Sequence, residues 1–329
     1  MQDRRCRICS NITGNRIIIV REMMFGTRDT FEYLECASCG CVQIIEIPSN
    51  LQQYYPVEYH GNSLPHPGQG ILKRLMKRER ARYCLGLGSM LGKHLVLKYG
   101  RPISSIFGHP DPYVWLKKCN VTFSSRILEV GCGPAHLLNE LHSDGFSDLT
   151  GLDPFLSETA TSSKGVRLIK GEIFDLNEQF DLVMLHHSFE HVPTPQKVIE
   201  HIYKLLSPAR YAVVRIPVAS SFAYIKYGAN WAQLDAPRHL FLHTVASIRL
   251  LAGQVGFDVA EVTFDSDEFQ FWASEQYAND IPLRDPRSYL VDPEKSMFSE
   301  RDMESFKTAA IDLNSQNKGD TACFYLYKR

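Results

Sequence analysis

From Val121 onward, short apolar segments alternate with segments whose apolar residues recur at helical spacing. Gln196–Leu206 carries its apolar residues on one face and predicts an amphipathic helix. The alternation predicts an α/β fold at 121–329, with a seven-stranded, doubly wound, Rossmann-like sheet. The predicted strands are Arg126–Val130, Leu149–Asp153, Val166–Lys170, Asp181–His186, Tyr211–Ile216, Asp258–Phe264 and Ala322–Tyr327.

Two stretches of this region, 217–243 and 265–318, are longer than ordinary connections between helices and strands. We expect both to be insertions on the substrate side of the domain. Within the second, Phe271–Tyr277 combines aromatic and hydrogen-bonding side chains, a mixture that suits a sugar pocket. We expect Trp272 to pack rather than to contact the acceptor.

The first 48 residues have a different pattern, with two C-x-x-C pairs that flank β-type segments at 16–20 and 30–34. Four thiolates can close a tetrahedral Zn²⁺ site, and so short a unit cannot otherwise bury a stable core. We therefore predict a structural zinc ribbon at 1–48. Cys41 could replace one of the four ligands but is the second choice. The alternative to a zinc site is that the four cysteines bind no metal. The predicted ligands are Cys6, Cys9, Cys36 and Cys39.

Residues 49–120 are predicted to form a helical connector or cap. Between Lys73 and Arg101 there are nine Lys or Arg residues and a single acid, Glu79, and apolar residues recur at helical spacing from Ile71 to Met76. We expect a solvated helix that packs on the main domain. In the alternative, 71–101 lies on an anionic membrane or a glycolipid-bearing surface.

Composition narrows the range of functions. The 329 residues carry a formal net charge of −1, which gives no general case for a nucleic-acid partner. The sequence contains no apolar run long enough for a transmembrane helix, and its charged start predicts no signal peptide. Nine cysteines, four of them at metal-ligand spacing, favour a reduced, cytoplasmic protein. The oligomeric state is not indicated.

The most informative motif is the apolar segment before Gly131-Cys-Gly133, with Asp153 closing the next strand. Glycines let a ligand approach the backbone, and a carboxylate at that position takes the hydroxyls of a ribose. His136 stands where a dinucleotide site has its third glycine, and an imidazole there would obstruct a pyrophosphate. Glu129 suits a ligand with an amino group. The pattern therefore predicts a nucleoside site that is not a dinucleotide site.

This pattern resembles the E/D-x-G-x-G signature of class I S-adenosylmethionine-dependent methyltransferases, with Ala135 where these enzymes often carry another glycine. The resemblance implies that S-adenosylmethionine is the cofactor. It places Gly131 and Gly133 against the amino-acid part, Asp153 at the ribose and Phe155 or Leu156 near the adenine. The remaining implied cofactor residues are Glu129, Glu172, Ile173 and His186.

Histidines are concentrated in two loops that follow predicted strands, at 186–191 and 239–243. A methyltransferase that acts on a hydroxyl must align the acceptor and accept its proton, and histidine titrates in the suitable range. We predict that His239 is the general base and that His191 or His187 orients the acceptor. Any of these histidines can instead cap a helix or bond to backbone.

The ribbon, the sheet, the Glu190-His191 loop and the segment from Arg238 to Thr244 together resemble bacterial sugar and polysaccharide methyltransferases. Deoxysugar C-methyltransferases carry a similar ribbon, but their Glu-His dyad falls on Arg238-His239 here, so only the histidine is retained. O-methylation needs one base, and we therefore expect methylation of a sugar hydroxyl. The expected acceptor is a nucleotide-sugar or a surface polysaccharide or glycolipid, with Arg238 stabilising one of its oxygens.

Two other functions stay open. Some RNA methyltransferases pair a zinc module with this fold, but residues 1–48 carry six basic and six acidic residues, whereas a phosphate-binding ribbon should be basic. The second open function is that of a non-catalytic scaffold in glycan assembly. The cofactor residues and the histidines favour an enzyme.

Overall fold

The structure is a computed structural model that describes residues 4–56, 70–101, 112–162 and 165–329. The chain divides into two compact units. The first, here called the ribbon unit, comprises Met1–Pro56, His187–Gln196 and Arg215–Phe324. The second, the sheet unit, comprises Val57–His186, Lys197–Val214 and Tyr325–Arg329.

The boundaries of these two units differ from the domain boundaries predicted from the sequence. The predicted domains at 1–48, 49–120 and 121–329 therefore remain a prediction. Of the predicted connector at 49–120, residues 57–69 and 102–111 lie outside the described residues.

The described residues form strands and helices with the following bounds. The strands are β1 (Arg16–Arg21), β2 (Thr30–Glu35), β3 (Val42–Ile44), β4 (Arg126–Val130), β5 (Asp148–Asp153), β6 (Ala160–Thr161), β7 (Arg167–Lys170), β8 (Phe180–His186), β9 (Leu206–Pro217), β10 (Phe241–Leu242), β11 (Phe257–Phe264) and β12 (Thr321–Lys328). The helices are α1 (Ile71–Cys84), α2 (Met90–Tyr99), α3 (Pro112–Lys118), α4 (His136–Ser143), α5 (Pro195–Leu205), α6 (Phe222–Tyr227), α7 (Val245–Val255), α8 (Phe269–Ala278) and α9 (Glu300–Ser315).

Eight strands form the central sheet, in the order β11-β12-β9-β8-β4-β5-β7-β6. β4 pairs in parallel with both β5 and β8, and β5 pairs in parallel with β7. The inner strands are continuous apolar runs, as expected where helices cover both faces of a parallel sheet, and Leu182–Leu185 of β8 are fully buried. The mostly parallel α/β sheet predicted from the sequence is confirmed.

The seven predicted strands are all present, and the sheet has an eighth that was not predicted. β6 has only two residues, both exposed, and pairs antiparallel with β7 at the sheet edge. Its position is fixed by pairing with β7 rather than by a hydrophobic pattern, so the sequence carried no signal for it.

The ribbon unit contains a second, four-stranded sheet in the order β1-β2-β3-β10. Its first three strands come from the cysteine-rich segment, but β10 comes from the predicted insertion at 217–243. Phe241 pairs with Gln43 and Leu242 pairs with Val42. The N-terminal segment therefore completes its sheet with residues from far along the sequence.

The predicted insertion at 265–318 forms α8 and α9, which help to build the core of the ribbon unit. Trp272 is 7% exposed and packs in a cluster with Met23, Leu283 and Met303. Its ring centroid lies 5.1 Å from that of Phe269. Trp272 packs as predicted, but Phe271, Trp272 and Tyr277 are all buried and provide no open aromatic platform.

In the sheet unit, α1 exposes the apolar residues at its beginning and buries those at its end. Ile71 and Leu72 are 81% and 72% exposed, whereas Ala81 and Cys84 are buried. The Nζ atom of Lys77 lies 3.0 Å from Oε2 of Glu140 on α4, an ion pair with little solvent access. Within the described ranges, no helix has the length and apolar character needed to cross a bilayer.

Candidate active site

The turn after β4 is built by two glycines in a conformation that other residues rarely adopt. Gly131 has a φ of 76° and Gly133 a φ of 48°. The Gly131 N–H donates to the carbonyl oxygen of Leu152 at 2.7 Å, which ties the turn to β5. Ala135 is also left-handed, with a φ of 57°, a backbone conformation that glycine adopts more easily than other residues. A Cβ at Gly133 would meet no atom within 4 Å, so the turn is open at that point.

Asp153 closes β5 and organises this turn. Its Oδ2 atom accepts a hydrogen bond from the Gly133 N–H at 2.9 Å, and its Oδ1 atom accepts one from the Phe155 N–H at 2.8 Å. A carboxylate that served only a ribose diol would keep both oxygens open to the ligand. Instead each oxygen already carries one backbone bond, and only its second lone pair remains for a ligand. Phe155 itself is 56% exposed.

Glu129 is a buried carboxyl group in the middle of this region. Burial, and then the charge of Asp153, raise the pKa of Glu129 to about 8. Its Oε1 atom lies 3.5 Å from Nδ1 of His186, and its buried Oε2 atom has no hydrogen-bond partner within the described ranges. A positively charged donor such as an α-ammonium group would donate a hydrogen bond to that oxygen. It would also offset the free-energy cost of burying the ionised carboxylate. The site therefore fits the amino-acid part of S-adenosylmethionine.

The other predicted cofactor residues are found at the ends of β7 and β8. Glu172 is exposed, and its backbone N–H donates to Oδ2 of Asp175 at 2.9 Å, at the start of the short helix Ile173–Asp175. Ile173 is buried. The ring of His186 lies 4.4 Å, centroid to centroid, from the ring of Trp115 on α3. Trp115 was not predicted, because it lies in a stretch of the sequence without a clear pattern.

In the ribbon unit, Glu190, His191 and His239 come together although 47 or more residues separate His239 from the other two. One potential ligand atom of each lies within 4.8 Å of the others. The rings of His191 and His239 are 4.7 Å apart and edge-on, and the Nε2 atom of His239 lies 3.9 Å from Oε1 of Glu190. The structure thus brings the predicted catalytic residues His191 and His239 together with a carboxylate that His187 also approaches.

Hydrogen bonds to backbone fix the orientation of both histidines. Nδ1 of His239 lies 2.7 Å from the carbonyl oxygen of Gln233, and Nδ1 of His191 lies 2.9 Å from that of Arg238. A carbonyl oxygen only accepts, so both Nδ1 atoms carry the hydrogen. In each neutral ring, Nε2 is then the atom with a free lone pair. Burial, and then the neighbouring His239, lower the pKa of His191 to about 4, which keeps that ring neutral at pH 7.

Glu190 is completely buried. Burial alone would raise the pKa of this carboxyl, but the surrounding imidazoles, His187 first, outweigh burial and lower it below its usual range. Nδ1 of His187 lies 3.4 Å from Oε1 of Glu190. Glu190 is therefore a buried carboxylate facing histidines.

His187 makes a second contact that limits its role. Arg215 donates from Nη1 to Nε2 of His187 at 2.5 Å and pairs with Asp265 at 3.0 Å. The lone pair of Nε2 is thus already used, so His187 can position groups but is not a free base. His187 has a φ of 46°, a conformation that is unusual for a residue other than glycine. Arg215 and Asp265 were missed because no motif surrounds them.

Arg238 does not take the role predicted for it. Its side chain is fully buried, and it donates to Asp235 and to Glu22 at 2.6 Å and 2.8 Å. A further bond joins Nη1 to the carbonyl oxygen of Tyr54 at 3.0 Å. The prediction that Arg238 stabilises an acceptor oxygen is wrong, because its charge is neutralised by two buried carboxylates. Glu22 was not foreseen.

His243, the last histidine of the second loop, belongs to the core. It is fully buried, its Nδ1 atom lies 3.2 Å from Oγ of Ser247, and its ring stacks on Phe189 and Phe241. Burial lowers its pKa to about 3. His243 is therefore a neutral packing residue.

The cysteines Cys6, Cys9, Cys36 and Cys39 lie together, each sulfur within 4.8 Å of the others. Sγ of Cys6 is 3.7 Å from that of Cys39, and Sγ of Cys9 is 3.4 Å from that of Cys36. Four sulfurs bound to one Zn²⁺ at about 2.3 Å would lie about 3.8 Å apart. The cluster can therefore hold zinc with little movement. Cys41 is buried but is not part of the cluster.

The family described as a methyltransferase domain matches residues 68–262 of the sequence. No match is found among curated proteins. The chain is similar to the cyclopropane synthase MmaA2 from Mycobacterium tuberculosis, with 14% identity, a TM-score of 0.44, and 65% of this chain and 82% of that chain covered. It is also similar to a SAM-dependent methyltransferase from Archaeoglobus fulgidus, with 15% identity, a TM-score of 0.41, and 67% and 100% covered. Both TM-scores are low, so neither likeness adds to the family match.

Proposed function

Because the chain belongs to the methyltransferase-domain family and is an S-adenosylmethionine-dependent methyltransferase, we propose that it methylates a hydroxyl oxygen of a sugar. The proposed acceptor is a nucleotide-sugar or the sugar of a surface polysaccharide or glycolipid. The observation that carries this proposal is the Nε2 atom of His239, which the bond from Nδ1 to the carbonyl oxygen of Gln233 leaves as a proton acceptor. The sugar class rests on the resemblance of the sequence to sugar methyltransferases.

The cofactor is held by the turn after β4 and the end of β5. S-adenosylmethionine supplies an electrophilic methyl group on sulfur. Glu129 would pair with the α-ammonium group through its unpartnered oxygen, while Gly133 leaves room beside the backbone and Gly131 supplies the left-handed turn. Asp153 uses its remaining lone pairs on the ribose and keeps the turn in place. Phe155, Glu172 and Ile173 are proposed for the adenine, and His186 for the methionine part.

His239 is the proposed base. A hydroxyl becomes a better nucleophile as its proton leaves, and a positioned base contributes about 10²–10⁴-fold to the rate. His239 accepts the proton on Nε2, and Glu190, 3.9 Å away, stabilises the imidazolium that forms. His191, held by Arg238 and Tyr55, orients the acceptor, and His187 fixes Glu190.

C-methylation of a keto sugar is the second candidate, and one observation favours it. The deoxysugar C-methyltransferases use a Glu-His pair, which the sequence lacks at 238–239. The structure places Glu190 beside His239 instead, so a carboxylate–histidine pair is present after all. With a keto sugar in D₂O and no cofactor, C-methylation predicts exchange of the carbon-bound proton, whereas O-methylation predicts none.

We also propose that the four-cysteine cluster binds Zn²⁺ as a structural ion. Four thiolates complete the tetrahedral coordination and leave no open position for a substrate. The ion would join the two C-x-x-C segments, Cys6–Cys9 and Cys36–Cys39, which flank β1 and β2.

The remaining proposals concern the surroundings of the enzyme. The basic stretch at 71–101 exposes Ile71, Leu72 and Leu75 beside lysines and arginines, which suits peripheral contact with an anionic membrane and hence a lipid-linked acceptor. We propose a cytoplasmic location, at most peripheral to the inner face of the membrane, and no nucleic-acid partner.

The function is tested by incubating the full chain with S-adenosylmethionine and a panel of nucleotide-sugars, with mass spectrometry of the products. A methylated nucleotide-sugar is expected, and less of it with Asp153→Ala when S-adenosylmethionine is limiting. Methylation of RNA fragments but of no sugar would replace the proposal.

A further inference from the structure

We infer that Glu190, His191 and His239 form a binding site for a divalent first-row transition metal ion. One ligand atom of each residue lies within 4.8 Å of the others, a separation that one ion can span. This site is separate from the four-cysteine cluster, and it gives Glu190, His191 and His239 a second role beside the one in the proposed function.

The histidines are prepared as ligands by their backbone contacts. Metal-binding histidines generally donate the hydrogen of the non-ligating nitrogen to a carbonyl or carboxylate, which fixes the ring and its tautomer. Here Nδ1 of His191 bonds to Arg238 at 2.9 Å, and Nδ1 of His239 bonds to Gln233 at 2.7 Å. Both Nε2 lone pairs are left for an ion.

The environment of Glu190 supplies a second, independent observation. Its side chain has no exposed surface, and among the described residues neither of its oxygens has a hydrogen-bond partner. The nearest imidazole nitrogens approach Oε1 only to 3.4 Å and 3.9 Å. A buried carboxylate without hydrogen bonds is costly unless it is paired or coordinates a metal. A cation bound beside Oε1 would remove that cost.

The chemistry of the ligands indicates which ions fit. Two imidazoles and one carboxylate are typical of Fe²⁺, Co²⁺, Ni²⁺ or Zn²⁺, whereas Mg²⁺ and Ca²⁺ prefer oxygen ligands. Three protein ligands also leave coordination positions open. The Nε2 atom of His239 has one lone pair, so it cannot bind a metal and accept a proton at once. We therefore restrict the base role of His239 to the metal-free protein.

The test is a titration of the full chain with Co²⁺, followed by visible spectroscopy and by equilibrium dialysis, with the cysteine site left loaded with zinc. We expect one additional bound Co²⁺ with weak d–d bands and no sulfur charge-transfer band. Glu190→Gln and His191→Ala should each weaken binding at least about tenfold, as expected for loss of a ligand. His94→Ala, which removes an exposed imidazole on α2, should bind as the wild type does.

Circular dichroism confirms that each variant is folded, and His191→Ala tests the site independently if Glu190→Gln does not fold. Equal Co²⁺ binding by the wild type and both variants, or no binding by the wild type, would overturn the inference. Neither result depends on an acceptor. A protein that binds Co²⁺ but methylates no sugar would refute the proposed function alone.

Discussion

The backbone N–H of Gly133 donates a 2.9 Å hydrogen bond to Oδ2 of Asp153, which joins the turn after β4 to the end of β5. A residue predicted only as a ribose ligand thus also holds the loop that surrounds the cofactor. Loss of its carboxylate should therefore affect both the ribose contact and the shape of the turn.

Asp153→Ala should weaken S-adenosylmethionine binding at least about tenfold, because hydrogen bonds to a charged group contribute about 1.5–3 kcal/mol each. Isothermal titration calorimetry measures the change. Asp153→Asn, which keeps acceptor capacity but loses the charge, should fall between the wild type and Asp153→Ala. Unchanged affinity in Asp153→Ala would show that the ribose binds elsewhere.

Cofactor binding should depend on pH through Glu129, whose pKa in the free protein is about 8. Glu129 is then mostly protonated at pH 7, and the ammonium group of the cofactor favours its ionised form. Binding should release a proton, so affinity should rise with pH between about 6 and 8, by up to about tenfold per unit, and level off above the pKa. Calorimetry in buffers of different ionisation enthalpy measures the release. Glu129→Gln should bind weakly with no such slope, and an equal slope in that variant would exclude Glu129 as the source.

Zinc should be present at about one equivalent at the four-cysteine cluster. Cys36→Ser should lower the zinc content and destabilise β1–β3, because the ion then no longer joins the two C-x-x-C segments. Metal analysis by mass spectrometry and thermal unfolding measure the two effects. Cys84→Ser, a buried cysteine on α1 away from the cluster, is the matched control for zinc content and should retain the ion. Native protein without zinc would contradict the assignment.

Arg238→Met should destabilise the ribbon unit by about 3–5 kcal/mol, because it leaves the buried carboxylates of Glu22 and Asp235 without their cation. Denaturant unfolding measures this. The exposed pair between Arg16 and Glu35 provides the control, and Arg16→Met should change stability by no more than about 1 kcal/mol. A small effect of Arg238→Met would show that the two carboxylates find other partners.

The sequence predicted what depends on local pattern. The strands around Gly131 and Asp153 were found because burial on both faces produces continuous apolar runs, and the glycine turn has a recognisable spacing. Long-range packing was not predictable in the same way. The pairing of β3 with β10 and the burial of Arg238 beside Glu22 join segments that are distant along the chain. Nothing local to Glu190 indicated that its neighbour in space is His239.

The most direct test of the account compares methyl transfer by the wild type and by His239→Ala, with a saturating sugar acceptor and metal-free buffers. We expect the variant to lose about 10²–10⁴-fold in kcat and to keep wild-type affinity for S-adenosylmethionine, with the methyl group on oxygen in the wild-type product by NMR. If His239→Ala retained more than about a tenth of the wild-type kcat, far above the loss expected for a positioned base, His239 would not be the proton acceptor and the central claim would fail.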